Sequence, residues 1–255
     1  MLAIGKQITE EQRLSKAVVD IMPHIPEISG LLMIGERSID DTVPTACTNG
    51  RDEFYGRAFV ASLNDAELRF VIIHEVFHKM YRHLVTWSHL WKICPRTSNI
   101  SMDYDINQKI MDEYGQSGWV KRPEGGCYDP KYKGWGTAKI FWDIYDPDAA
   151  NNQPQGGKPD DGHPEGFDEH DWEGAQDMTP DEQREIQREV DEAIRQGSLV
   201  AGKMGSGGNR DMEELLKPKV DWREVLREFV QTTCAGNDYS TWKKPNRRYM
   251  GTGIY

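Results

Sequence analysis

Any fold for this chain has to accommodate residues 64–84, NDAELRFVIIHEVFHKMYRHL. Asn64 is an N-cap residue, and Asp65 and Glu67 place negative charge in the first turn, where the helix dipole favours it. The pattern predicts a helix through Leu84, with Leu90 as its outer limit. His74 and His78 share a face with Phe70, Val71, Phe77, Tyr81 and Val85. A helix this apolar belongs in a core, so its polar residues need partners there.

Those polar residues form the pattern His74-Glu75-Val76-Phe77-His78, an H-E-x-x-H motif. Side chains four apart on a helix lie one turn apart on one face, so both imidazoles reach a single ion. Glu75 lies about 100° round from His74, free to act as general base on a water without occupying a coordination position. Two imidazoles and a carboxylate suit zinc and leave a fourth position open. Two surface histidines flanking a solvated glutamate would be the plain alternative, and the apolar face weighs against it.

A third ligand is needed. A second helix fits Asn99 to Tyr114, with Met102, Ile106, Ile110 and Met111 as its apolar stripe and Asp105, Lys109, Asp112 and Glu113 as its polar one. Asp103 and Asn107 fall beside the apolar stripe. A carboxylate there is costly unless paired or bound to metal, so Asp103 is assigned as third ligand. Asn107, one turn on, would orient a ligating histidine through its second ring nitrogen. The alternatives are that Asp103 caps, or pairs with Arg82 or Lys109, with Asp105 or His83 as ligand instead. His83 lies about 140° round the helix from His78 and is poorly aimed.

The rest of the chain supplies the frame. An amphipathic helix is predicted from Ile8 to Met22, stopped near Pro23 and Pro26, then a buried strand over Leu31 to Ile34. Strand residues Phe54, Tyr55, Phe59 and Val60 follow a Thr48-Asn49-Gly50 turn within Ala46 to Ser62, and Pro95 is expected to end a helix. Residues 147–178 are Pro-, Gly- and Asp-rich and read as a loop or linker. Thr179, Pro180 and Glu182 then form a helix start, with the helix running to Met204, and Asp221 caps a further one. The organisation expected is an α+β domain over 1–146, the acidic linker over 147–178, and a helical extension over 179–255.

With 31 basic and 42 acidic residues the net charge is −11, which argues against a generally basic nucleic-acid surface. The local patch Lys243, Lys244, Arg247 and Arg248 between Trp242 and Tyr249 reads as a solvated or acid-paired face. His163 and His170 sit among acids and read as part of a solvated loop rather than a second metal site. No apolar run spans a membrane, and no signal-peptide core opens the chain. Cys47, Cys94, Cys127 and Cys234 lie far apart with no CxxC, as expected of reduced thiols in a cytoplasmic protein.

Several separated blocks carry a resemblance: HEVFHKMYRHL, SMDYDINQKI, PEGGCYDPKYKGWGTAKIFWDIYD, VDWREVLREF and STWKKPNRRYM. In this order they resemble a family of predicted metal-dependent peptidases with an N-terminal zincin-like domain, usually followed by a von Willebrand factor A-like domain. The resemblance runs from the ACTNGRDEFY strand to Tyr255. It implies a small mixed sheet on the H-E-x-x-H helix, with an edge strand from Ala46 to Ser62 above the site. It also implies His74, His78 and Asp103 as zinc ligands and Glu75 as base. No D-x-S-x-S metal-adhesion motif occurs in these 255 residues. A piece of a longer chain and a shorter bacterial, phage or prophage relative both fit that departure.

The function expected is therefore a zinc-dependent endopeptidase acting on a peptide or protein, with Tyr104, Tyr128 or His83 as oxyanion donor. The alternative is a zinc-binding but non-hydrolytic adaptor that partners an ATPase or an A-like domain. What separates the two is whether the fourth zinc position is open to water or plugged by the chain, with the acidic linker over 147–177 as the candidate autoinhibitory plug.

Overall fold

In the computed structural model, residues 8–147, 178–205, 215 and 226 are described. The chain divides into two units, Met1–Leu216 and Lys217–Tyr255. Of the second unit only Leu226 is described, exposed on a helix. The linker over 148–177, the Asp221 helix, His163, His170, Cys234 and the basic patch at 243–248 lie outside the described residues.

Helix α1 covers Glu10–His24, opened by a capping box between Thr9 and Gln12, and buries Leu14, Ala17, Val18 and Ile21. The predicted strand at Leu31 to Ile34 is instead a 3-10 turn, Leu31–Met33, that buries Leu31 and Leu32. A short apolar run reports burial without reporting period, and a single turn buries two leucines as well as a strand does.

Three strands follow: β1 Arg37–Ile39, β2 Ala46–Thr48 and β3 Glu53–Tyr55. They form a mixed sheet of order β1-β3-β2, with β1 parallel to β3 and β2 antiparallel to it. The β2–β3 turn is held by Asn49 Oδ1, which accepts from the N–H groups of Arg51 and Asp52 at 2.9 and 2.8 Å. Gly50 takes φ +93° there, a backbone that favours glycine. Phe59 and Val60, expected in a strand, lie in a short helix α2, Arg57–Ser62.

Helix α3, Asp65–Tyr81, is capped as its sequence predicts: Asn64 Oδ1 accepts from the N–H groups of Ala66 and Glu67, and the Glu67 side chain accepts from the Asn64 N–H. Every residue from Phe70 to Met80 is buried, which puts this helix at the centre of the core, between α1, β2 and the helices that follow. It stops earlier than expected. Arg82 adopts a left-handed backbone (φ 52°, ψ 46°) and the chain restarts as two single turns, α4 His83–Thr86 and α5 Ser88–Trp91. Val85 is consequently exposed rather than on the buried face.

Pro95 begins helix α6, Pro95–Tyr114, instead of ending the one before. Proline suits the first helical position because its missing N–H would be unsatisfied there anyway. Helix α7 is Thr137–Ile144, and α8 is Pro180–Met204 with the Thr179–Glu182 capping box and a left-handed Gly205 at its end. Val190, Ile194 and Ala201 of α8 are buried, and Val190 and Ile194 join the main core. Gly197 allows the close approach, since a Cβ there would lie 1.9 Å from the Glu27 carbonyl oxygen. Among the described residues the architecture is α+β, mostly helical with one small mixed sheet. No described helix is long and apolar enough to cross a membrane.

Candidate metal centre

Helices α3 and α6 pack against each other. α3 contributes His74, Glu75 and His78, and α6 contributes Asp103 and Asn107, none more than 2% exposed. That burial excludes the alternative of surface histidines around a solvated glutamate. His74 Nε2 and His78 Nε2 are 3.0 Å apart, and Asp103 Oδ1 lies 3.7 Å from the first and 3.6 Å from the second. A tetrahedral site with ligands about 2.0–2.1 Å from its ion has ligand–ligand edges of about 3.3–3.4 Å. The three observed edges straddle that length, and the donor set of two imidazole nitrogens and a carboxylate oxygen fits zinc.

Ring orientation supports the same fit. His74 Nδ1 is 2.8 Å from Asn107 Oδ1, while Asn107 Nδ2 donates to the Cys127 carbonyl at 2.8 Å. The amide is thereby fixed with its oxygen toward the histidine, so Nδ1 of His74 carries the proton and Nε2 presents its lone pair to the other donors. Asn107, one turn after Asp103 on α6, thus faces His74 with its amide oxygen.

The alternative assignments resolve differently. Asp105 turns away to α7, accepting from the Thr137 N–H and hydroxyl at 3.2 and 2.8 Å and pairing with Lys109 at 3.0 Å. It completes the N-terminus of α7, whose Gly136 cap has no side chain. Arg82 pairs with Asp191, so neither cation proposed for Asp103 is directed to it. His83 is not poorly aimed, as a continuous helix would make it: the break at Arg82 returns its ring to His78, with Nδ1 to Nδ1 at 3.2 Å. Tyr104 packs on Tyr132 in a second apolar cluster, and Tyr128 lies under the Arg122 guanidinium. Of the three oxyanion candidates, His83 is the one lining the cavity beside His78.

A group of residues that the sequence reading missed ties α3 to the sheet. Lys79, one turn after Glu75, is buried with its ammonium 2.5 Å from Glu53 Oε1 and donates to the Ile34 carbonyl at 3.0 Å. Glu53 also accepts from Arg37 Nε and Nη2 at 2.6 and 2.9 Å, and from the Tyr55 hydroxyl at 2.6 Å. Burial alone would raise the Glu53 carboxyl. The charges of Lys79 and then Arg37 outweigh it and hold the group at about 2. Tyr55 is driven well above its ordinary value, first by burial and then by Glu53, with Glu75 adding to the effect. The phenol therefore feels the charge of the motif glutamate. Sheet and motif helix are joined by this ionic cluster, and no local sequence pattern announces it because its charged members Arg37, Glu53 and Lys79 lie 16 to 42 positions apart.

A cavity of about 220 Å³ opens beside His78. Its wall includes His83, Leu84 and Val85 from α4, Ile186 from α8, and Asn49 and Gly50 from the turn after β2. The sequence profile of the family described as "putative metallopeptidase domain" matches residues 9–254. The chain belongs to this family. In this chain, the buried His74–His78–Asp103 cluster is a group able to hold a metal ion. Among curated proteins and among solved structures, no match to the family member described here is found.

Proposed function

We propose that the chain is a zinc-dependent endopeptidase of zincin type, with His74, His78 and Asp103 holding the ion and Glu75 acting as general base. The observation that carries this reading is the convergence of two Nε2 atoms and one carboxylate oxygen at 3.0, 3.6 and 3.7 Å, with Glu75 on the adjoining position of the same helix. A zinc ion with three protein ligands supplies Lewis acidity and lowers the pKa of a water in its open position to about 7.

The chain's own residues would do the rest. Glu75 accepts a proton from the attacking water and passes it to the leaving amine. Asn107 keeps the His74 ring in its working tautomer. Strand β2 is the sheet edge packed on α3, and the residues that follow it line the cavity. An extended peptide would add to β2, its backbone in register with the sheet, while the cavity takes an apolar side chain against Leu84, Val85 and Ile186.

The test is Glu75→Gln in zinc-loaded protein challenged with a peptide library. Zinc content stays at the wild-type level while cleavage falls by about 10²-fold or more, the typical scale of a lost general base. Cleavage at the wild-type rate would remove Glu75 from the mechanism. Zinc-loaded wild type that cleaves nothing in the library would favour the adaptor reading, with an ATPase or an A-like domain as partner.

A further inference from the structure

We infer that His83 is a positioning residue for His78, and that the left-handed backbone at Arg82 is what aims it. The inference rests on the metal site proposed above and adds a residue to its support. Arg82 is the non-glycine residue with positive φ among those described. Left-handed backbone crowds a Cβ against the following carbonyl, so a long helix seldom breaks at such a residue without something to hold it there. Here the Arg82 N–H bonds back to the His78 and Lys79 carbonyls, and its guanidinium pairs with Asp191 of α8.

What the break achieves is specific to His83. On an uninterrupted helix it would point about 140° away from His78. After the break its Nδ1 comes to 3.2 Å from His78 Nδ1, with the rings edge to face at 86°. Tyr81 stacks on the His83 ring at 5.6 Å, and His83 is buried.

The chemistry then assigns the protons. If His78 ligates through Nε2, the nitrogen facing His74 and Asp103, its neutral ring carries the proton on Nδ1. His83 Nδ1 receives that hydrogen bond, so His83 keeps its own proton on Nε2. The two ligating histidines are thus served alike: Asn107 accepts from Nδ1 of His74, and His83 from Nδ1 of His78. Groups that hold a liganding imidazole in this way fix its orientation and increase its basicity.

The test uses the full chain, apo and metal-loaded, with folding checked by near-ultraviolet circular dichroism. Zinc affinity is measured by competition with a chromophoric chelator, and coordination by the visible spectrum of the cobalt form. His83→Ala should weaken zinc binding by about 10- to 100-fold with a tetrahedral cobalt spectrum retained. His83→Asn, which restores an acceptor oxygen, should recover most of that loss. Arg82→Gly should bind zinc nearly as wild type does, because glycine adopts the left-handed backbone freely. Arg82→Val should resemble His83→Ala, because a β-branched residue resists it.

Zinc affinity within about twofold of wild type in His83→Ala overturns the inference. So does a cobalt spectrum that loses a ligand, since His83 would then coordinate directly. If His83→Ala does not fold, nitrogen-15 spectra of zinc-loaded wild type decide the matter: protonated Nε2 and bare Nδ1 on His83 support the assignment, and the opposite tautomer refutes it. Wild type that binds no zinc refutes the metal site and this inference together. Wild type that binds zinc while His83 is indifferent refutes this inference alone.

Discussion

Replacing Lys79 by methionine should cost more than any surface change and should do so through Glu53. The Lys79 ammonium is fully buried, 2.5 Å from Glu53 Oε1. The carboxyl is held at about 2 instead of its ordinary 4.5, against a burial effect that acts the other way. A fully buried carboxyl held that low contributes about 3 kcal/mol to folding at pH 7, taking 1.36 kcal/mol for each tenfold change in proton affinity. Lys79 is the larger of the two charges responsible, with Arg37 the other. Lys79→Met leaves a buried carboxylate short of its main partner, for which the expected loss is about 3–5 kcal/mol. Removing both charges, as Lys79→Met with Glu53→Gln, should recover part of that, because no buried carboxylate is left short of a partner, while Arg37, itself partly solvated, loses its own. The assay is urea unfolding at pH 7, followed by circular dichroism, on wild type and the single and double variants. A single variant that loses less than about 1 kcal/mol would show that the cluster does not tie sheet to helix as argued.

Three further outcomes follow from the same contacts. Because the folded-state value for Glu53 lies below its unfolded one, its contribution is fully present above about pH 4.5 and fades as pH falls toward about 2; unfolding of apo protein across that range should show the slope, and Glu53→Gln should flatten it. Asn107→Leu removes the acceptor for His74 Nδ1 and should raise the zinc dissociation constant by about 10- to 100-fold in chelator competition, with an unchanged constant counting against its orienting role. Asp105→Ala should lower unfolding free energy by about 1–3 kcal/mol by stripping the N-terminus of α7, yet leave zinc affinity unchanged; a loss of zinc there would reopen the ligand assignment.

What could be read from sequence was local. Asn64 with Glu67 and Thr179 with Glu182 are capping boxes whose partners are three residues apart, so the chain declares those helix starts itself. Asp103 and Asn107 betrayed their burial by lying beside Met102, Ile106 and Ile110 at helical spacing. The failures are equally physical. Nothing about Arg82 marks it as left-handed, since glycine or asparagine would be the usual sign; its conformation is bound up with the α3 carbonyls and distant Asp191. Misreading that residue carried Val85 to the wrong face and made His83 look badly aimed. Pro95 marks a boundary without saying which side is helical. Leu31 to Ile34 lack a period. Glu53, Lys79 and Arg37 find one another only after β1, β3 and α3 have packed, so no local pattern singles them out.

In the proposed site His74, His78 and Asp103 hold one zinc ion. The most direct measurement is zinc content per chain by mass spectrometry, on wild type and on Asp103→Ala purified side by side in zinc-containing buffer and then desalted. About one zinc per chain is expected in wild type, with a steep loss in Asp103→Ala, whose two remaining imidazoles are too few for a stable site. Wild type without zinc, or Asp103→Ala that retains a full complement, would contradict it.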